Sequence, residues 1–250
     1  MKDALGDRMK SQYENRTRYF LPRRTYTIIR LDGKAFHTYT KGCARPFDAD
    51  FVHAMDETAN FLCQEIQGAK MAFVQSDEIS ILLTDFEKST TTAWYDGNIQ
   101  KMTSISAALA SAYFNQIRKE QGIDKLAFFD SRVFTIPDRI EVENYFIWRQ
   151  NDCVRNSISM LAQSLYSHKD LLGKSSNDLQ ELIFKKGKNW NDYPIRLKRG
   201  GLSLKKAYPK GNVVRYRWIN QGAIWFSKER ERLKDILPNR DGVHYKKSIH

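Results

Sequence analysis

The chain has 250 residues, of which 41% are hydrophobic and 28% charged, with a formal net charge of +12. That length supports a substantial core in one large or two small domains. No apolar run nears the roughly 18 residues that a helical bilayer span requires, which excludes that class and predicts no membrane partner. Three widely spaced cysteines, Cys43, Cys63 and Cys153, form no CxxC pair, so neither a disulfide framework nor a zinc site is expected.

The first twenty residues carry acids and lack an apolar centre, unlike an export signal, so a reduced, cytoplasmic protein is the expectation. The spacing of Leu5, Met9 and Tyr13 predicts a short amphipathic helix. A strand at 25–31 then ends on Asp32-Gly33. A loop from Gly33 to Pro46 leads to a helix near Asp48–Glu65, where Phe51, Met55, Ala59 and Leu62 recur at helical spacing. Met71–Val74 and Ile79–Leu83 flank Gln75-Ser76-Asp77-Glu78 and read as a hairpin. Asn98–Lys119 is periodic and alanine-rich, hence helical, and Ala127–Ile136 returns as a strand ending at Pro137.

The order β-α-β-β-α-β predicts an α+β fold with the ferredoxin-like arrangement of a polymerase palm. Beyond it, Asp138–Tyr166 reads as helix with a break at Asn151-Asp152, and Ser176–Lys186 as a further helix. Arg196–Lys206 alternates around Gly200-Gly201, and Val213–Phe226 reads as strand. No repeat, low-complexity tract or linker intervenes. The expected organisation is a palm at 1–140, with its N-terminal helix, and a helical and β-hairpin extension at 141–250 packed against it.

Charge separates these parts. Residues 1–140 hold 19 Lys/Arg against 18 Asp/Glu, whereas residues 141–250 hold 22 against 11. Between Lys185 and Arg217 lie eleven basic residues and one acid, Asp192, with Trp190, Tyr193, Tyr208 and Tyr216 among them. Basic residues interleaved with aromatics suit a nucleic-acid backbone with exposed bases, although a merely solvated face or a membrane-surface patch has the same composition. Lys185, Lys186, Lys188, Lys198 and Arg199 are the candidates for backbone contacts, which fix register without reading sequence.

In such a palm the first strand lies beside the central hairpin, so Asp32 is expected next to Asp77 and Glu78. Carboxylates held together repel unless a cation lies between them. Hard oxygen ligands suit Mg²⁺, which takes its remaining ligands from water and phosphate. Gly33 permits close backbone approach, and its carbonyl can complete a metal shell. Successive amides of Lys34, Ala35, Phe36 and His37 can cradle a triphosphate. Two metals there serve nucleotidyl transfer. The plain alternatives are a turn at Asp-Gly and a surface loop at Ser-Asp-Glu. Glu78 is either a third acid or a hairpin surface charge, and His37 taken alone suits packing better than metal ligation. No Walker loop, GxGxxG or HExxH is present. A nucleotidyl cyclase, or a non-catalytic RNA-binding protein that keeps the acids, also accommodates the carboxylates.

IIRLDGKAFH, RPFD, QSDEIS, FDSRV and WRQNDC occur in an order and spacing that resembles the tRNA-His guanylyltransferase family, closely over roughly residues 1–160 and more loosely beyond. The resemblance implies a palm that extends RNA in reverse, adding nucleotides to a tRNA 5′ end activated by ATP or GTP, or already triphosphorylated. It implies two Mg²⁺ on Asp32 and Asp77 with the Gly33 carbonyl, and a nucleotide held by Lys34, Ala35, Phe36, His37 and Ser76. It places Arg45, where the family often has lysine, at the activated 5′ end, and it implies a homotetramer. After WRQNDC this chain reads Val154-Arg155-Asn156-Ser157 in place of the His-Ile-Asn-Asn common in members that mark tRNA-His. That fits better the tRNA-repair branch, which adds templated NTPs to truncated ends. Where relatives often carry a basic cluster after the hairpin, this chain has Asp96-Gly97-Asn98-Ile99-Gln100, so that either the activation site is built differently or pre-activated ends are favoured. Arg149, Gln150 and Asn156, on the helix after the palm, are further tRNA candidates, with Arg149 able to reach a phosphate. The alternative is that these groups tie the helix to the sheet.

Overall fold

The computed structural model describes residues 3–211 and 213–240. A helix α1 (Ala4–Gln12) precedes strand β1 (Tyr26–Gly33) and a single helical turn α2 (Phe36–Tyr39). Helix α3 (Ala49–Glu65), the hairpin strands β2 (Ala69–Gln75) and β3 (Glu78–Leu83), helix α4 (Ile99–Glu120) and strand β4 (Phe129–Ile136) complete the palm. The long helix α5 (Arg139–Gln163), the short α6 (His168–Leu171), α7 (Ser176–Lys185), α8 (Ile195–Arg199), strands β5 (Gly201–Lys210) and β6 (Val213–Gly222) and helix α9 (Arg230–Ile236) follow.

The six strands form one antiparallel sheet of order β4-β1-β3-β2-β5-β6. Its first four strands have the ferredoxin-like order that the element sequence predicts. Side chains alternate across β1. Ile29 and Leu31 join a core with Phe51, Met55 and Leu62 of α3 and Phe114 of α4. Tyr26 and Ile28 join a second core with Val142, Tyr145 and Phe146 of α5. Arg30 and Asp32, in step with Tyr26 and Ile28, therefore belong to the α5 face. α5 continues past the sheet to pack Ile158 and Leu161 against Leu179, Ile183 and Trp190.

Two expectations need correction. α5 runs through Asn151-Asp152 without a break, because Asp152 accepts from Arg149 and Arg155, one turn to either side, both at 2.8 Å. The alternation across 196–206 begins as helix: α8 ends at Gly200, whose φ of +86° turns the chain into β5, and a Cβ there would stand 2.7 Å from the Phe73 ring. The extension beyond residue 140 is joined to the palm edge, since β5 pairs with β2 through Val74↔Gly201 and Met71↔Leu204. The N-terminal helix forms as expected but buries none of its residues, leaving Leu5, Met9 and Tyr13 exposed.

Candidate active site

β1 and β3 run antiparallel in a register that sets Asp32 opposite Glu78, and the Gly33 amide donates to the Asp77 carbonyl at 3.1 Å. The two-residue turn Ser76-Asp77, with Ser76 at φ +45°, thus brings Asp77 to the end of β1 as the sequence pattern predicts. On the other side of β1, Asp130 of β4 lies opposite Asp32. Burial raises the Asp77 carboxyl above the ordinary carboxylate value, and the neighbouring charges of Asp32 and Glu78 push the same way. Asp32 is raised likewise, by desolvation first and then by Glu78. Two partly desolvated carboxylates that resist ionising together are a donor set suited to a divalent cation with its own waters. Among the described residues no three His, Cys, Asp or Glu side chains converge as a metal cage. The pair therefore fits an ion that draws its remaining ligands from backbone, water and phosphate.

Glu78 is neither a surface charge nor a free third acid. Its side chain is 6% exposed and accepts two parallel bonds from Arg149, Nε to Oε1 at 2.8 Å and Nη2 to Oε2 at 2.6 Å, with Arg30 Nη2 at 2.9 Å from Oε2. Ser80 Oγ adds a bond at 3.2 Å. This carboxylate is committed to holding α5 on the sheet. Arg149 is correspondingly removed from the tRNA candidates. Gln150 is removed too: it donates to the Ile224 and Arg199 carbonyls and accepts from the Phe226 amide, fully within the fold. Lys198 is buried, its ammonium on the Asn191 carbonyl and over the Trp190 ring. Lys185, Lys186 and Lys188 are exposed at the end of α7, and Arg199 is half-buried against Trp225.

The segment after β1 makes a tight cradle. Ala35 adopts a left-handed φ of +56° at the start of α2, where no side chain caps the turn, so the first amides, those of Phe36 and His37, keep no intrahelical partner. Lys34 does not contribute its amide as expected: that group donates to the Phe128 carbonyl at 2.8 Å. Phe36 instead anchors the cradle in the core, against Tyr39, Phe51, Phe114 and Phe129. Its ring lies over Gly33, where an added Cβ would meet it at 2.3 Å. Gly33→Ala should therefore cost about 1–3 kcal/mol, the usual range for overpacking, read as a lowered midpoint in urea unfolding. A midpoint equal to wild type would show that Phe36 yields freely and does not pin the cradle.

Beside the cradle lies a cleft of about 270 Å³ lined by His37, Arg45, Ser76, Asp48, Met160 and Gln163, among others. It continues into a narrower apolar recess bounded by Phe47, Phe51, Gln75 and Asn156. The structure therefore gathers His37, Arg45, Ser76 and Asn156, far apart in sequence, around one opening next to the carboxylates. Sequence reasoning missed Asp48, Met160 and Gln163 of this wall, and also Arg30 and Arg132. Arg30 and Arg132 face each other across β1 and β4, and Arg132 Nη2 is 3.9 Å from Asp32. The available signal was strand parity, since Arg30 precedes Asp32 by two.

Comparison with known proteins identifies the family. Residues 6–137 match the family described as Thg1, tRNAHis guanylyltransferase. The tRNA(His) guanylyltransferase of Saccharomyces cerevisiae is 30% identical over 205 residues, covering 72% of this chain and 83% of the yeast protein. A bacterial tRNA(His) guanylyltransferase-like protein solved with ATP is 46% identical, with a TM-score of 0.84, over 94% of this chain and 99% of that one. A GTP complex of a bacterial guanylyltransferase-like protein is 45% identical with a TM-score of 0.82, over the same shares. With the matched sequence and the shared fold in agreement, this chain belongs to the tRNAHis guanylyltransferase family of nucleotidyltransferases.

Proposed function

We propose that the protein adds nucleotides in the 3′-to-5′ direction to the 5′ end of tRNA, templated by the opposite acceptor strand, with repair of truncated ends as its main task and guanylate addition to tRNA-His as a related activity. The observation that carries this reading is the placement of Asp32 and Asp77 at adjoining strand ends beside the cleft of His37, Arg45 and Ser76. The bacterial guanylyltransferase-like proteins solved with ATP and with GTP support a nucleoside triphosphate as substrate, which this reading seats in that cleft.

Asp32, Asp77 and the Gly33 carbonyl would hold two Mg²⁺, which when bound neutralise phosphate charge and favour ionisation of the attacking 3′-hydroxyl. The protein's own share is positioning. The amides of Phe36 and His37, with Ser76, receive the triphosphate, and Arg45 meets the activated 5′ end. The 3′-hydroxyl of the incoming nucleotide attacks the 5′ phosphate of the RNA, and pyrophosphate or AMP departs according to how that end was activated. Ser157, standing at the second asparagine of His-Ile-Asn-Asn, is buried and takes the Trp190 indole N–H at 3.1 Å. It is committed to packing, which supports the repair reading over dedicated recognition of one tRNA. The resemblance also implies a homotetramer, and a cytoplasmic setting suits the substrate.

The test is a tRNA lacking its first 5′ nucleotide and bearing a 5′-triphosphate, incubated with Mg²⁺ and each NTP in turn. Incorporation of the nucleotide complementary to the template base, by wild type and not by Asp32→Ala, is expected; incorporation of guanylate alone, whatever the template, would refute templating. Replacing Lys185, Lys186 and Lys188 together with alanine should weaken tRNA binding uniformly across sequences. It should also shallow the slope of log affinity against log salt by about one for each phosphate that is no longer neutralised. An unchanged slope would move the backbone-binding surface elsewhere.

A further inference from the structure

Two elements of the sequence motifs have no part in the cleft: FDSRV, within β4, and the tryptophan of WRQNDC. The structure brings them together on the α5 face of the sheet. Trp148 is 51% exposed, unusual for so large an aromatic side chain. It is nevertheless held in place. The Arg149 guanidinium carbon is 4.4 Å and that of Arg30 5.8 Å from the ring centroid, and Tyr145 packs against it edge-on with centroids 5.9 Å apart. Both arginines are fixed in turn by Glu78, the Cα partner of Asp32. Arg132, with a side chain 58% exposed, stands opposite Arg30 on β4 and within 3.9 Å of Asp32. Phe128, 55% exposed, immediately precedes that strand, and its carbonyl accepts the Lys34 amide.

The α5 face beside Asp32 thus presents a rigid open indole, a second exposed ring and an accessible guanidinium. An aromatic plane flanked by positive charge is the recognition surface of a nucleobase next to its phosphate, because every base has a π face and each nucleotide one negative charge. We propose that Trp148 is the stacking platform for the 5′-terminal base of the RNA, with Arg132 receiving the adjoining phosphate, so that the end to be extended is presented to the carboxylates. The inference rests on the 3′-to-5′ addition reading and deepens it: the incoming NTP occupies the cleft at His37 and Ser76, Arg45 meets the activated 5′ phosphate from the wall of that cleft, and the 5′-terminal base lies on the Trp148 side of Asp32. Arg30 and Arg149 hold the ring with their charges committed to Glu78, and Arg132, exposed at the strand edge 3.9 Å from Asp32 and 3.6 Å from Asp130, is the cation placed to meet a phosphate.

The experiment uses the full chain and a tRNA transcript with 2-aminopurine as its first 5′ nucleotide, together with a control carrying the probe in the anticodon loop. Wild type should quench the 5′ probe and leave the control unchanged. Trp148→Ala should abolish that quench and raise KM for RNA about 5- to 150-fold, the usual worth of one base stacked on an aromatic ring, with KM for NTP unaltered. Trp148→Phe keeps a ring and should restore most of both, which a purely structural tryptophan would not predict from a probe on the RNA; thermal melts establish that each variant is folded. If wild type extends the tRNA and Trp148→Ala quenches and extends equally well, the platform is refuted while the addition activity stands. If wild type neither binds nor extends the tRNA, the activity reading itself falls, and the platform with it. If Trp148→Ala changes the sedimenting mass and its RNA defect disappears at high protein concentration, the surface is a contact between copies of this chain and the proposal is overturned.

Discussion

Asp77→Asn should lower templated nucleotide incorporation by at least about 10³-fold while leaving the protein folded, because several kcal/mol of charge stabilisation are lost at the reacting phosphates. The substitution is nearly isosteric, and the charge it removes is one the fold accommodates at a cost: burial already raises the Asp77 carboxyl, with Asp32 and Glu78 adding repulsion. The melting temperature in chelator should therefore stay level or rise. Millimolar Mg²⁺ should raise the wild-type melting temperature by offsetting repulsion between the carboxylates, and this increment should shrink in the variant. Single-turnover incorporation with a 5′-triphosphorylated tRNA, measured beside thermal melts with and without Mg²⁺, checks both expectations. Activity within tenfold of wild type would remove Asp77 from the site and leave the pair without a role.

Arg149→Ala should destabilise the protein by about 3–5 kcal/mol, the range found when one partner of a buried ion pair is removed. Glu78 would then keep only Arg30 and Ser80, in a setting where its side chain is 6% exposed. The cost comes chiefly from the uncompensated carboxylate, so Glu78→Gln combined with Arg149→Met should recover most of it. Urea unfolding of the single and double variants measures the coupling directly. A folded Arg149→Ala protein with unchanged stability and weakened tRNA binding would instead return this arginine to the nucleic-acid interface. The outcome matters for the site because Glu78 lies opposite Asp32 in the sheet register. Loosening this network would disturb the strand ends that carry the carboxylates, even though Arg149 touches no substrate in the proposed arrangement.

Much of this protein was legible in its sequence, for local reasons. Periodicity marked α3, α4 and the hairpin, because a helix or strand buried on one side must repeat its apolar residues at 3.6 or 2. Topology then followed, since β-α-β-β-α-β has one common closure, and that closure alone brings Asp32 to Asp77. The motifs identified the family without any coordinates. What the sequence could not assign was the use of each charge. Arg149, Gln150, Lys198 and Glu78 have the composition of an interface, yet all four are buried and paired within the fold. Trp148 has the composition of a core, yet it is open to solvent. Whether a polar side chain meets solvent or a partner depends on which elements pack over it, and those partners lie 71 residues away for Arg149 with Glu78 and 76 for Gln150 with Phe226. Sequence pattern reports the period of an element and the identity of its residues; only tertiary packing decides which charges are free to act.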